Sequence, residues 1–158
     1  MFRGSVTVNL DEKGRIAIPA RYREKVQKAS DGELVVSIAV TSRGVGMTDC
    51  LWIYPLCAWE EFETKLKNLR SSSKKISDFK RFVVGSAFDC EMDSQGRIMI
   101  PEKIRKFANL TDKRMVLSGN IDRLELWNED VWNAKEEQLK IDNDEDDKDL
   151  DILEELSL

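Results

Sequence analysis

The chain has 158 residues, 41% of them hydrophobic, which is enough to bury one core. It contains no histidine and only three cysteines, Cys50, Cys57 and Cys90, with no CxxC pair. That excludes histidine-based acid–base chemistry and Ser-His or Cys-His triads, and it argues against zinc. The net charge of −5 hides a split, because residues 136–158 carry eleven acidic residues against two lysines while residues 1–135 carry a net +4. A block such as 142–151 reads first as a solvated segment, and the opposite sign of the body favours an anionic partner such as nucleic acid. No apolar run reaches membrane-spanning length, and the opening Met1-Phe2-Arg3-Gly4-Ser5 lacks signal-peptide shape, so a cytoplasmic location is expected. In such a reducing compartment the cysteines read as small buried hydrophobes.

Residues 6–10 alternate apolar and polar side chains as a half-buried strand does. Asp11-Glu12-Lys13-Gly14 reads as a tight turn, with Gly14 free to take positive φ. Residues 15–18 resume the alternation, Ile16 and Ile18 facing one way and Arg15 and Ala17 the other. Pro19 suits the first turn of a helix over 20–29, which Ser30-Asp31-Gly32 ends. Strands are expected over 34–40 and 51–54. Trp59, Phe62, Leu66 and Leu69 then recur at helical spacing over 58–69, and Ile76, Phe79 and Val83 mark a second short helix. From residue 88 the plan repeats, with strands over 88–92 and 97–100, Pro101, a helix over 102–108, and strands near 115–118 and 124–127. Trp132 begins a last helix that runs into the acidic tail, where Leu150, Leu153 and Leu156 hint at an amphipathic end that folds against a partner.

The repetition is explicit. Asp11 to Pro19 reads D-E-K-G-R-I-A-I-P and Asp93 to Pro101 reads D-S-Q-G-R-I-M-I-P, six of nine positions matching at an offset of 82. Leu34-Val35-Val36-Ser37 matches Met115-Val116-Leu117-Ser118 at an offset of 81. Leu51, Ile53 and Trp59 match Leu124, Leu126 and Trp132 at 73, which places an insertion near 41–50 in the first copy. The chain therefore divides into a first repeat (5–57), a helical connector (58–84), a second repeat (85–130) and a C-terminal helix with acidic tail (131–158). Eight short strands in two related copies predict a mainly β fold with peripheral helices (α+β), built as a pseudo-two-fold closed barrel that removes exposed edges.

Arg15 and Arg97 each follow a turn glycine on the face opposite the isoleucines. Each has two readings: a fork that locks the hairpin onto Asp11 or Asp93, or a projecting contact to phosphates or guanine edges. Lys13 beside Arg15, and Arg3 on the adjoining strand, favour the DNA reading there. Gln95 and Glu91 leave Arg97 less cationic surroundings and favour the structural one, although Arg97 stays in the DNA-binding set. Asp11, Gly14, Asp93 and Gly96 are expected to form the turns. Arg21, Arg23, Lys25, Lys28, Lys74, Lys75, Lys80 and Arg81 read mostly as solvated helix faces, with a phosphate-contacting rim as the lesser reading. A body charge of +4 is modest for a DNA binder, so affinity is expected to come from an oligomer presenting one turn many times to tandem DNA repeats.

At the two D-x-x-G-R-I-x-I-P motifs the sequence resembles the MraZ family, whose members carry two AbrB/SpoVT-like swapped-hairpin repeats. The resemblance extends over Met1-Phe2-Arg3-Gly4, Tyr22-Arg23-Glu24, the L-x-I-Y-P-L-x-x-W segment from Leu51 to Trp59, and Glu125-Leu126-Trp127. It implies a swapped-hairpin barrel, a ring-forming homo-oligomer, and a cytoplasmic, nucleoid-associated transcriptional regulator. It also implies binding to direct repeats upstream of a division and cell-wall gene cluster, with repression of the protein's own operon. The competing reading is a non-catalytic interaction module using the barrel and the acidic tail. No nucleophile–base spacing, phosphate loop or metal-ligand cluster suggests an enzyme, a cofactor or a metal.

Overall fold

The computed structural model describes residues 1–39 and 49–141. The expected last residue of the 34–40 strand, most of the 41–50 insertion, and the 142–158 tail with its three leucines lie outside the described residues. In chain order the elements are β1 (Ser5–Asn9), β2 (Arg15–Ala17), α1 (Ala20–Ser30), β3 (Glu33–Ile38), β4 (Cys50–Pro55), α2 (Leu56–Asn68) and α3 (Lys74–Gly85). The second half follows with β5 (Phe88–Glu91), β6 (Arg97–Met99), α4 (Glu102–Phe107), β7 (Arg114–Asn120), β8 (Arg123–Asn128) and α5 (Glu129–Ile141). The fold is α+β, mostly antiparallel sheet with helices around it.

Prolines set three of the strand-to-helix switches. Pro19, Pro55 and Pro101 occupy the N-cap of α1, α2 and α4, with φ of −56°, −56° and −57°. Each is one position ahead of the first helical turn, where the lack of an N–H costs nothing. This also explains why α2 starts at Leu56, two residues earlier than its apolar stripe suggests. The helix α3 starts instead at a polar cap, the Ser73 hydroxyl accepting from the Ile76 amide at 3.3 Å.

The strands pair across the repeats. One sheet has the order β1-β7-β8-β4-β3-β5, and β2 pairs with β6 in a separate ribbon. The first strand of each copy lies on the third strand of the other, Val8 opposite Met115 and Cys90 opposite Leu34. Those two pairs are equivalent by the sequence repeat, so the register of both exchanges is the same. The pseudo-two-fold passes between β4 and β8, where Leu51 faces Leu126 and Ile53 faces Leu124, and between Ile16 and Ile98 in the ribbon. The expected closed eight-stranded barrel is not what the ladders form. The six-stranded sheet ends at β1 and β5, and the three-residue strands β2 and β6 are too short to do more than pair with each other.

Alternation along the strands divides the side chains between two faces. Ile16, Ile18, Ile98 and Ile100 are fully buried and join Leu34, Val36, Leu51, Met115, Leu117, Leu124 and Leu126 in the main core. On the other face of the sheet, Val35 and Tyr54 pack with Trp59, Leu66 and Val83 under α2 and α3. The Ser37 hydroxyl is buried there and donates to the Val83 carbonyl at 2.6 Å. Ser37→Ala would strand that carbonyl, so chemical denaturation is expected to show a loss of about 2 kcal/mol; an unchanged midpoint would mean the bond carries no net stability. The second copy is less covered. Leu139 of α5 takes the place of Leu66 but is 79% exposed where Leu66 is 6%.

The cysteines depart in one respect from the expectation of burial. Cys50 is buried and Cys90 half-buried, but Cys57 is exposed, on the outer side of the first turn of α2. Burial pushes the Cys50 thiol far up and the Cys90 thiol to about 12, so neither is a thiolate at neutral pH. Among the described residues no helix is long and apolar enough to cross a membrane, and no cluster of metal-ligating side chains occurs.

Candidate nucleic-acid interface

The two motif turns are built alike. Asp11 accepts from the Lys13 amide at 2.9 Å, the Arg15 amide at 2.8 Å and Arg15 Nε at 2.7 Å. Asp93 accepts from the Gln95 amide at 2.9 Å, the Arg97 amide at 2.9 Å and Arg97 Nε at 2.8 Å. Main-chain bonds from Asp11 to Arg15 (2.9 Å) and from Gly14 to Asp11 (3.1 Å) close the first turn, with Gly14 at φ +77°, and Gly96 takes φ +73° in the second. Such angles strain any residue with a Cβ, which is why glycine stands at both places.

The amide of Arg15 above all holds the Asp11 carboxyl below the ordinary 3.8; desolvation opposes it as the next largest effect, and the Arg15 guanidinium and the Lys13 amide add to the lowering. Asp93 is lowered in the same way, first by the Arg97 amide. A folded-state pKa below the unfolded one contributes stability above pH 3.8 that disappears as pH falls through the lower folded value. Carboxyl NMR titration is therefore expected to give midpoints below 3.8 for both aspartates, with exchange protection of the Arg15 and Arg97 amides lost in the same window. Midpoints at or above 3.8 would deny the cradle.

Arg15 and Arg97 thus perform the locking role, and the two sites are equivalent in this respect. Nε of each makes the bond to its aspartate. Among the described residues no hydrogen bond engages the terminal nitrogens of either guanidinium, and the side chains retain 23% and 29% exposure. In the ribbon Arg15 lies opposite Met99 and Arg97 opposite Ala17, so both arginines share the outward face, diagonal to each other at roughly 7–8 Å. Ile16 and Ile98 occupy the inward face between them. Lys13 and Gln95 are exposed at the two turn tips. The expected excess of positive charge at the first turn does not exist in formal charge, because Glu12 offsets Lys13 while Ser94 and Gln95 are both neutral.

Arg3 does not join this group. It precedes β1 at the end beside the β7–β8 tip, where Phe2 bridges Ile121, and Asp11 lies beyond the other end of that strand. The Arg3 carbonyl accepts from the Tyr22 hydroxyl of α1 at 3.0 Å. Nearby, Arg21 lies over the Tyr22 ring and donates to the Ser5 carbonyl, while Lys25 donates to the Met1 carbonyl. Those helix cations hold the N-terminal segment, Arg21 while remaining exposed and Lys25 half-buried. In the connector Lys80 donates to the Leu69 carbonyl and Arg81 pairs with Asp78. Half-buried Arg123 lies over Trp52 and pairs with Glu125, a further structural role.

Two further arginines lie at the ribbon: Arg23, one of the helix-face cations, and Arg105, which the sequence did not single out. Arg23 of α1 donates through Nε to the Ile18 carbonyl at 2.6 Å, and its side chain crosses the second turn, its Cδ 2.2 Å from where a Cβ on Gly96 would stand. Arg105 of α4 does the same for the other turn, Nε donating to the Ile100 carbonyl at 3.0 Å and Nη2 lying 3.1 Å from a Cβ position on Gly14. A usable signal was present, since both stand four residues after the motif proline.

A family model described as MraZ protein matches the chain twice, over residues 1–82 and 83–153. A protein of Azotobacter vinelandii (strain DJ), named transcriptional regulator MraZ, is 46% identical over 134 residues, covering 85% of this chain and 84% of that one. The protein of that name from Shewanella oneidensis is 44% identical over 132 residues, covering 84% and 82%. One from Pseudomonas savastanoi pv. phaseolicola is 41% identical over 134 residues, covering 85% and 84%.

Proposed function

We propose, from the premise that the chain belongs to the MraZ family of transcriptional regulators and is not an enzyme, that it reads DNA with the outward face of the β2–β6 ribbon. The observation that carries this reading is the one-sided use of Arg15 and Arg97. Each guanidinium is fixed by Nε to its turn aspartate and offers its remaining donors outward. A two-stranded antiparallel ribbon fits a major groove, and preoriented arginine forks match the O6 and N7 acceptors of guanine. Lys13, exposed at a turn tip, supplies a phosphate contact. Arg3, remote along β1, is at most an outlying phosphate contact.

One ribbon has few cations, so specific binding requires several ribbons on one assembly. The protein acts as a homo-oligomeric ring of swapped-hairpin units, nucleoid-associated in the cytoplasm, on tandem direct repeats. It represses the division and cell-wall cluster to which its own gene belongs. Effective concentration then makes the second and later contacts cheap when repeat spacing matches subunit spacing. The test is fluorescence anisotropy over a salt series with DNA from upstream of the gene against scrambled DNA of equal length. A preference for the native fragment that collapses when one direct repeat is removed is the expected result. Equal binding to both DNAs would reduce the protein to a non-specific nucleoid component.

A further inference from the structure

We propose that Arg23 and Arg105 are DNA-contacting residues that complete each turn from the opposite repeat, gripping the phosphates on the two sides of the groove while Arg15 and Arg97 face the bases. This rests on the ribbon reading above. Four observations lead to it. Each of these arginines reaches across the pseudo-two-fold, Arg105 to Gly14 and Arg23 to Gly96. Each is anchored by Nε alone to a main-chain carbonyl, and among the described residues no hydrogen bond engages its terminal nitrogens. Both are half-buried, so the guanidinium is held in place rather than free to wander.

The fourth observation is spacing. The two turns are tied together by main-chain bonds, Ile100 N to Gly14 O at 2.9 Å and Ile18 N to Gly96 O at 2.8 Å. Gly14 and Ile18 are therefore markers of the two ends of the ribbon, roughly 13 Å apart at about 3.3 Å per residue. That length is close to the major-groove width of about 12 Å. A ribbon laid across the groove puts Arg15 and Arg97 over its floor and the turns, with Arg105 and Lys13 at one end and Arg23 at the other, against its walls. Each end is then composite, with a turn from one repeat and a cation from the other, so a single repeat cannot form it.

The test uses the full-length protein with Arg105→Gln, Arg105→Lys and the matching Arg23 variants, measured on the native promoter fragment and on scrambled DNA at several salt concentrations. A phosphate contact predicts that Arg105→Gln weakens binding by the same factor on both DNAs. The slope of log affinity against log salt should fall by about one for each engaged subunit. Arg105→Lys, which keeps the charge and loses the fork, should retain the wild-type slope. An unchanged slope in Arg105→Gln overturns the proposal, and so does loss of discrimination with overall affinity intact. If Arg105→Gln unfolds in a thermal melt, Arg105→Met, which keeps the apolar stem over the turn and removes the charge, takes its place: an unchanged slope in that folded variant makes the arginine a turn cover only. Failure of the ribbon reading itself looks different, because the wild type would then show no preference for its own promoter.

Discussion

Replacing Arg15 by alanine is expected to leave a folded, assembled protein that no longer distinguishes its promoter from scrambled DNA. The structural cost is small because the Asp11–Arg15 pair sits at the surface, and surface ion pairs contribute little net stability. The Asp11 carboxylate also keeps its two main-chain donors, the amides of Lys13 and residue 15, when the guanidinium is gone. The functional cost is large. A bidentate arginine–guanine contact is worth about 1–3 kcal/mol of discrimination, roughly tenfold to a hundredfold for each engaged subunit, and the losses multiply across an oligomer. Arg97→Ala is expected to resemble it, since its lock to Asp93 has the same geometry and the same outward face. Lys13→Ala should instead weaken both DNAs equally. Circular dichroism and size-exclusion chromatography establish the fold and assembly, and anisotropy reads the binding. An Arg15→Ala protein that unfolds, or that still prefers its promoter, would make this arginine a turn device and nothing more.

The second large effect concerns stability. Gly119→Ala is expected to cost about 3 kcal/mol, because overpacking against main chain cannot be relieved by a rotamer change. A Cβ at this position would stand 2.4 Å from Arg3 N and 2.6 Å from Phe2 C. What it would displace is a seated segment: Phe2 exchanges main-chain bonds with Ile121 at 2.7 and 3.1 Å, and Gly119 N donates to Gly4 O at 2.8 Å. The Phe2 ring, 6% exposed, meets the Tyr22 ring edge-on at 5.8 Å. Burial of such a ring is worth a few kcal/mol by itself. The repeat supplies the contrast, since the equivalent residue of the first copy is Ile38, at the same register against β4. Urea denaturation at fixed protein concentration checks the size of the effect. In a chain lacking residues 1–3 the same substitution should be nearly neutral, and an equal cost in both backgrounds would mean that the clash is not with the N-terminal segment.

Local chemistry carried far in this chain. The alternation of residues 6–10 and 15–18 located β1 and β2, and the D-x-x-G-R spacing located both turns, because an aspartate can cradle amides two and four positions on only when glycine lets the chain reverse. Pro19 and Pro101 marked the starts of α1 and α4, each standing one position before the first helical residue. Matching segments at offsets of 82, 81 and 73 also made the pseudo-two-fold legible in the sequence. The candidate site was half legible. Arg15 and Arg97 were found from their place after the glycine, but the ranking of one as functional and the other as structural has no basis in the geometry, which treats them alike. Arg3 was placed with Lys13 by adjacency of strands, and β1 carries it to the other end of the sheet.

What the sequence determined by itself were the properties carried by neighbouring residues: periodicity, turn conformation, helix starts, and the existence of two copies of one unit. Only the tertiary structure decided which copy each strand pairs with. A sequence repeat is satisfied equally by two side-by-side units and by two units that exchange first strands, because both bury the same alternating faces. The choice rests on long-range pairing, Val8 with Met115 and Cys90 with Leu34, and no local signal distinguishes these from pairings within a copy. The exchange in turn brings Arg23 and Arg105 over the turn glycines of the opposite copy, so the composition of the site is a property of the whole chain. Sheet closure follows the same logic. Strands of three residues can pair with each other across the axis, but they are too short to bridge β1 to β5, and the sheet stays open there.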